Sequence, residues 1–134
     1  MKKILFVCVE NSCRSQMAEG FARKIGAGII EAYSAGSKPS GKVNPDAIKV
    51  MQEINVDLSG YKSKGFQEVR DIKFDYAVTL GCQDTCPFIP AEKHITWEIG
   101  DPKGKPIEFF RKTRGQIKEK LMMLIDEIKD KKMA

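Results

Sequence analysis

The chain changes character abruptly near its amino end, and that change limits what it can fold into. An unbroken apolar run, Ile4-Leu5-Phe6-Val7-Cys8, gives way to Val9-Glu10-Asn11-Ser12-Cys13-Arg14-Ser15. Apolar residues then recur at helical spacing, at Met17, Ala18, Phe21, Ala22 and Ile25, until Gly26 and Gly28 end the pattern. A strand without polar alternation has to be covered on both faces, a condition met inside a parallel sheet. The alternation continues down the chain. Residues 29–34, 76–80 and 95–97 read as further strands, and residues 44–54 as a second helix, with Asn44 as N-cap, Pro45 in its first turn and Ala47, Ile48, Met51 and Ile54 facing inward. Residues 65–71 suggest a short third helix. Ile107, Phe110, Ile117, Leu121, Leu124, Ile125 and Ile128 form the core stripe of a long final one. The expectation is an α/β fold, a parallel sheet with helices on both faces, in one catalytic domain spanning residues 1–134.

In such sheets ligands bind where strand carboxyl ends meet helix amino ends, and residues 8–15 fall there. A loop running from strand to helix can aim several backbone N–H groups at an anion, and the helix dipole adds to the field. Arg14 contributes a planar fork for two oxygens of a phosphate-like group. Cys8 lies in the same field, which favours thiolate over thiol and so a nucleophile. Ser15 is spaced to donate a hydrogen bond to the sulfur. The spacing Cys-x5-Arg-Ser lets Val9, Glu10, Asn11, Ser12, Cys13, Arg14 and Ser15 wrap one tetrahedral oxyanion above Cys8. A carboxylate at Glu10 has to point out of that pocket. No metal or cofactor is needed.

Four cysteines, at 8, 13, 82 and 86, in a chain of 134 residues read as catalysis, redox work or metal binding rather than as permanent disulfides. The loop Cys8 to Ser15 with Gln16-Met17-Ala18-Glu19 resembles the low-molecular-weight tyrosine phosphatase superfamily, and within it the thioredoxin-coupled arsenate reductases. The likeness extends to Ser34-Ala35-Gly36, Asn44-Pro45, Val78-Thr79-Leu80 and Asp101-Pro102. It implies a sheet of four parallel strands, Asp101 as general acid, and Cys82 and Cys86 as resolving thiols. Phosphatases of this kind place a tyrosine after Asp-Pro, whereas Lys103 and Gly104 stand here, which favours arsenate over an aryl ester. The implied partners are arsenate and thioredoxin or a similar dithiol reductant. Gly81 precedes the first resolving cysteine and three residues separate Cys82 from Cys86, so either is open as the first to attack Cys8. Related reductases also hold potassium beneath the loop with residues that match Asn11, Glu19 and Ser34. The remaining, acidic position of that set falls on Lys64, whose ammonium is expected to take the ion's place and neutralise Glu19.

Other readings of the same residues compete. A phosphatase acting on phosphomonoesters needs only Cys8, Arg14 and Asp101. A binding module for arsenite, zinc or another thiophilic ion needs only the thiolates, although Arg14 already supplies the positive field a metal would duplicate. Cys13 reads as packing filler, or as a reversible protective partner of Cys8 under oxidation. Gly36-Ser37-Lys38-Pro39-Ser40-Gly41-Lys42 nearly matches a nucleotide P-loop, but Val43 stands where Ser or Thr should hold magnesium, and it reads as an ordinary loop. His94 reads as structural, and Trp97, Met51, Met122 and Met123 as core or groove filler.

The net charge of +5 is concentrated: residues 103–134 carry 10 Lys/Arg against 5 Asp/Glu. That stretch lacks Tyr, Trp and any nucleic-acid-binding motif, so it reads as the solvated face of the final helix, with no nucleic-acid partner. No apolar run approaches the roughly 18 residues of a membrane span, and Glu10 and Arg14 break the amino-terminal run before a cleavage site for secretion. A cytoplasmic enzyme is expected.

Overall fold

The structure is a computed structural model and describes residues 1–81 and 89–133. The elements are β1 (Lys2–Cys8), α1 (Arg14–Ile25), β2 (Ile30–Gly36), α2 (Pro45–Gln52), a 3-10 turn (Phe66–Glu68), β3 (Phe74–Leu80), β4 (Ala91–Trp97) and α3 (Ile107–Met133). The four strands form one parallel sheet in the order β2-β1-β3-β4. The α/β architecture implied by the family resemblance is therefore present. β1 is central, and Ile4 to Val7 are wholly shielded from solvent, which is why that stretch carries no polar residue. The chain reverses its direction of winding between β1 and β3, the crevice where open α/β sheets bind ligands. Val7 pairs with Thr79 and Cys8 with Gly36, so the carboxyl ends of all three strands lie side by side.

One face of the sheet, with Ile4, Phe6, Val78 and Trp97, is covered by all three α-helices. Phe6 and Trp97 rings meet at 5.9 Å between centroids. The other face, with Leu5, Val7 and Ala35, packs on Val69 and Phe74, flanked by Phe66 and Ile72, so the expectation of helices on both faces is corrected: the second face is covered by the 3-10 turn and its neighbours, with no α-helix among the described residues. Burying each large aliphatic or aromatic side chain contributes about 1.5–3 kcal/mol, so β1, buried on both sides, is the strand least tolerant of truncation. α2 opens as expected: the Asn44 side chain accepts from Asp46 N at 2.8 Å with Pro45 in the first turn.

Four other expectations need correction. The stretch 65–71 is not an α-helix, because Phe66, Val69 and Ile72 recur every third residue and successive i→i+3 bonds follow that period. β4 starts at Ala91 rather than at residue 95. Its first half, Glu92-Lys93-His94, is exposed and carries no apolar signature, as suits an edge strand among the described residues. α2 stops at Gln52, so Ile54 lies beyond it and is only half-buried, as is Ile48, while Val50 faces the core. Met122 and Met123 are not core filler: they are 50% and 62% exposed on the outer face of α3, and Ile25 is also largely exposed at the end of α1.

Candidate active site

Residues 8–15 leave the end of β1 and enter α1 at Arg14. The shape of this loop is imposed from outside by the segment that follows β2. Lys38 N donates to Val9 O (2.8 Å), Ser40 N to Glu10 O (3.1 Å) and Asn44 N to Ser12 O (3.0 Å). Ser63 Oγ adds a second bond to Glu10 O, at 2.7 Å. No cis peptide interrupts the described chain, so each carbonyl and the next N–H point oppositely. With the carbonyls drawn outward to the buttress, the N–H groups of Glu10 and Cys13, residues that line the hollow, are turned the other way. The segment 36–44 is thus a crutch for the loop. Gly36 is needed there because a Cβ would lie 2.5 Å from Val9 O and 2.9 Å from Cys8 O.

Behind the loop the polar groups are buried and joined. Asn11 adopts φ 50, a left-handed conformation that asparagine tolerates better than most L-residues. Its Oδ1 accepts from Gln16 Nε2 and from Lys64 N, both at 2.7 Å, and its Nδ2 donates to Ser15 Oγ at 2.8 Å. Ser15 Oγ in turn lies 2.8 Å from Cys8 Sγ. With Cys8 as thiolate, the serine hydroxyl can only be the donor. Glu19, also buried, accepts from Ser34 Oγ at 2.5 Å and pairs with Lys64 Nζ at 3.5 Å and Arg23 Nε at 3.0 Å. Asn11, Glu19, Ser34 and Lys64 are therefore brought into one network. Gln16, overlooked in the sequence, belongs to it too, and donates further to Asn11 O and Lys62 O. The sequence offered only a polar residue next to the start of the apolar stripe at Met17, and the burial of Gln16 shows only in the fold.

In front lies a hollow of about 190 Å3 lined by Cys8, Val9, Glu10, Ser12, Cys13, Arg14, Asp101 and Lys103. Asn11 and Ser15 are not among its lining residues. Arg14 is 7% exposed; its Nη1 donates to Ile99 O at 2.8 Å and its Nη2 lies 3.7 Å from Asp101 Oδ2. Gly81, with φ 81, leaves the room Arg14 occupies: a Cβ would fall 2.0 Å from Nη1. Glu10 turns its carboxylate to Lys103 Nζ, at 2.7 and 2.5 Å from the two oxygens, and this hydrogen bond holds the Lys103 ammonium above the ordinary lysine range. Burial, reinforced by the charges of Asp101 and then Cys8, pushes the Cys13 thiol up to about 12, so it stays neutral beside Cys8. Cys82 and Cys86 lie outside the described residues. They follow β3 closely, and β3 ends at Leu80 beside the end of β1.

A larger hollow, about 830 Å3, opens at the far end of the sheet against Met1, Tyr76 and Ile128, but contains no thiol, arginine or histidine. His94, expected to be structural, has its Nε2 2.6 Å from Ile89 O on the edge strand. No group of three His, Cys, Asp or Glu side chains among the described residues is placed to hold a metal ion, and no helix among them is long and apolar enough to cross a membrane.

Known proteins share this arrangement. A protein of Synechocystis named glutaredoxin arsenate reductase is 43% identical over 131 residues, covering 96% of this chain and 99% of the relative. A solved structure titled an arsenate reductase in the phosphate binding state superposes with a TM-score of 0.86 at 42% identity, covering 96% and 99% of the two chains. A thioredoxin-dependent arsenate reductase of Corynebacterium glutamicum superposes with a TM-score of 0.72 at 30% identity, covering 94% of this chain and 62% of that one. The model of the low molecular weight phosphotyrosine protein phosphatase family matches residues 3–134, and with the Cys8-to-Arg14 loop after β1 and helices over a four-stranded parallel sheet, the chain belongs to that family.

Proposed function

We propose that this chain reduces arsenate to arsenite. The observation that carries the reading is the small hollow in which Cys8, Arg14 and Asp101 converge, with no aromatic side chain among the described residues that line it. The relatives named arsenate reductases support it.

In the proposed reaction, arsenate sits on the loop amides and the Arg14 fork. Cys8 Sγ attacks arsenic while Asp101 protonates the departing oxygen, which leaves as water. A Cys8–S–As(V) adduct results. Cys82 thiolate then attacks Cys8 Sγ, and the S–As bond pair passes to arsenic, which departs as As(III) arsenite and leaves a Cys8–Cys82 disulfide. Cys86 attacks Cys82, frees Cys8 and leaves Cys82–Cys86, which an external dithiol reduces. The neutral Cys13 thiol takes no part. Asn11, Gln16 and Ser15 hold the loop, and Lys64 with Arg23 neutralises Glu19 beneath it. One relative is named for glutaredoxin and another for thioredoxin, which supports a donor of this dithiol class.

Arsenate-dependent consumption of reduced thioredoxin, and separately of reduced glutaredoxin with glutathione, tests the proposal. Turnover with at least one donor is expected. Phosphate release from a phosphomonoester with no arsenate-dependent oxidation would replace the reading with a phosphatase. Stoichiometric arsenite or zinc uptake without either reaction would replace it with a binding module.

A further inference from the structure

Glu10 and Lys103 are 93 residues apart in sequence, yet their side chains meet across the mouth of the Cys8 hollow. Each end is anchored in an element that bears the chemistry. The Glu10 carbonyl is held by Ser40 N and Ser63 Oγ, and Lys103 N donates to Asp101 Oδ1 at 3.0 Å. From this geometry, and resting on the oxyanion reading above, we propose that the Glu10–Lys103 pair is a specificity strap that admits free tetrahedral oxyanions to Cys8 and disfavours their esters.

The reason lies in the direction of attack. Substitution at a phosphate-like centre places the entering sulfur and the leaving oxygen roughly in line. The leaving oxygen therefore points away from Cys8, toward Asp101 at the rim. In arsenate or inorganic phosphate that oxygen bears only a proton and fits beneath the strap. In an ester it bears an organic group that continues outward through the line joining Glu10 to Lys103. An aryl ring there has to part the ion pair, and it meets two charged side chains, with no aromatic ring among the described residues that line the hollow, a penalty directed against the wrong ligand. The hollow, at about 190 Å3, is also below the roughly 300–1,000 Å3 of clefts that enclose organic ligands. Both side chains are partly exposed, Lys103 at 55% and Glu10 at 30%, so the discrimination is modest: about fivefold, the upper range for a surface pair.

The test reads binding without turnover. Alkylation of Cys8 by iodoacetamide is followed by mass spectrometry at a pH where inorganic phosphate and benzylphosphonate, an ester mimic whose C–P bond Cys8 cannot break, are both dianions, and the concentration of each that halves the rate is compared. The wild-type protein should be protected by inorganic phosphate at a concentration about fivefold lower than by benzylphosphonate. In Glu10→Ala/Lys103→Ala, which removes one charge of each sign, that preference should fall to near unity. The exchanged pair Glu10→Lys/Lys103→Glu should restore it. A wild-type protein with no preference, or a double-alanine variant that keeps it, overturns the strap. Because no reductant enters this assay, failure of arsenate reduction is read separately and leaves the result interpretable.

Discussion

The two sides of the loop at residues 8–15 are built on different terms. Behind it, Asn11, Ser15, Gln16 and Ser34 have no solvent exposure, and hydrogen bonds of 2.5–3.1 Å join the groups around Asn11 and Ser34. In front, Asp101 is 51% exposed and reaches Arg14 only at 3.7 Å, and the Glu10–Lys103 pair stands at the solvent edge. The back stores the geometry and the front admits the substrate. A buried polar group left unpaired costs about 1–3 kcal/mol, whereas a surface pair contributes at most about 1 kcal/mol. Substitutions behind the loop should therefore cost stability and activity together, while those in front should cost mainly activity.

The largest effect expected is at the front. Arg14→Lys replaces a bidentate fork with a point charge, and arsenate reduction should fall by about 10²-fold or more, while the melting temperature falls less than in the variants behind the loop, because only the bond to Ile99 O is lost. A comparable fall in melting temperature would erase the distinction between the two sides. Gly81→Ala sharpens it from within. A methyl group there collides with Arg14 Nη1 and forces a side chain onto φ 81, so about tenfold weaker protection of Cys8 by inorganic phosphate is expected. Unchanged protection would show that Arg14 is not set by the backbone after β3.

Behind the loop, Gln16→Leu leaves Asn11 Oδ1, Asn11 O and Lys62 O each short of a donor. Destabilisation of about 1–3 kcal/mol is expected, visible as several degrees in thermal melting, with a parallel loss of turnover. Lys64→Met strips one of two cations from buried Glu19. It should destabilise by less than the about 3–5 kcal/mol typical when a buried charge loses its sole partner, since Arg23 remains. With Lys64 in place, exchanging potassium for a large organic cation at constant ionic strength should leave wild-type activity unchanged. Activation by potassium would contradict the role given to Lys64.

Some of this was legible in the sequence, and the reasons are local. The apolar run Ile4 to Val7, the Cys8-to-Arg14 spacing and the Asn44-Pro45 cap each lie within a few residues, where periodicity and capping rules operate. The buttress from residues 38–44 was not legible, because it acts through backbone N–H groups that carry no side-chain signature. The Glu10–Lys103 pair joins surface residues that any solvated loop would tolerate, and only the fold brings them together. β4 was half hidden because an edge strand has solvent on one side and bears charges there. Met122 and Met123 misled because residue type alone does not say which face of a helix it occupies.

The smallest effect concerns Cys13. Its folded thiol ionises near 12 against an ordinary value of 9.0, so the folded state keeps a proton that the unfolded chain loses between those limits. Stability is therefore undiminished by this group below pH 9 and declines above it. Cys13→Ala should make the fall of melting temperature above pH 9 shallower, and an unchanged slope would mean the thiol is not held neutral.

The most direct test of the reductase reading omits the electron donor. Fully reduced protein is mixed with excess arsenate, and arsenite, free thiols and disulfide-linked peptides are measured after a single turnover. One arsenite and the loss of two thiols per chain are expected, with the disulfide drawn from Cys8, Cys82 and Cys86 and with Cys13 still free. Arsenite formation should vanish in Cys8→Ser. Arsenite formed without thiol loss, or formed by Cys8→Ser, would contradict it.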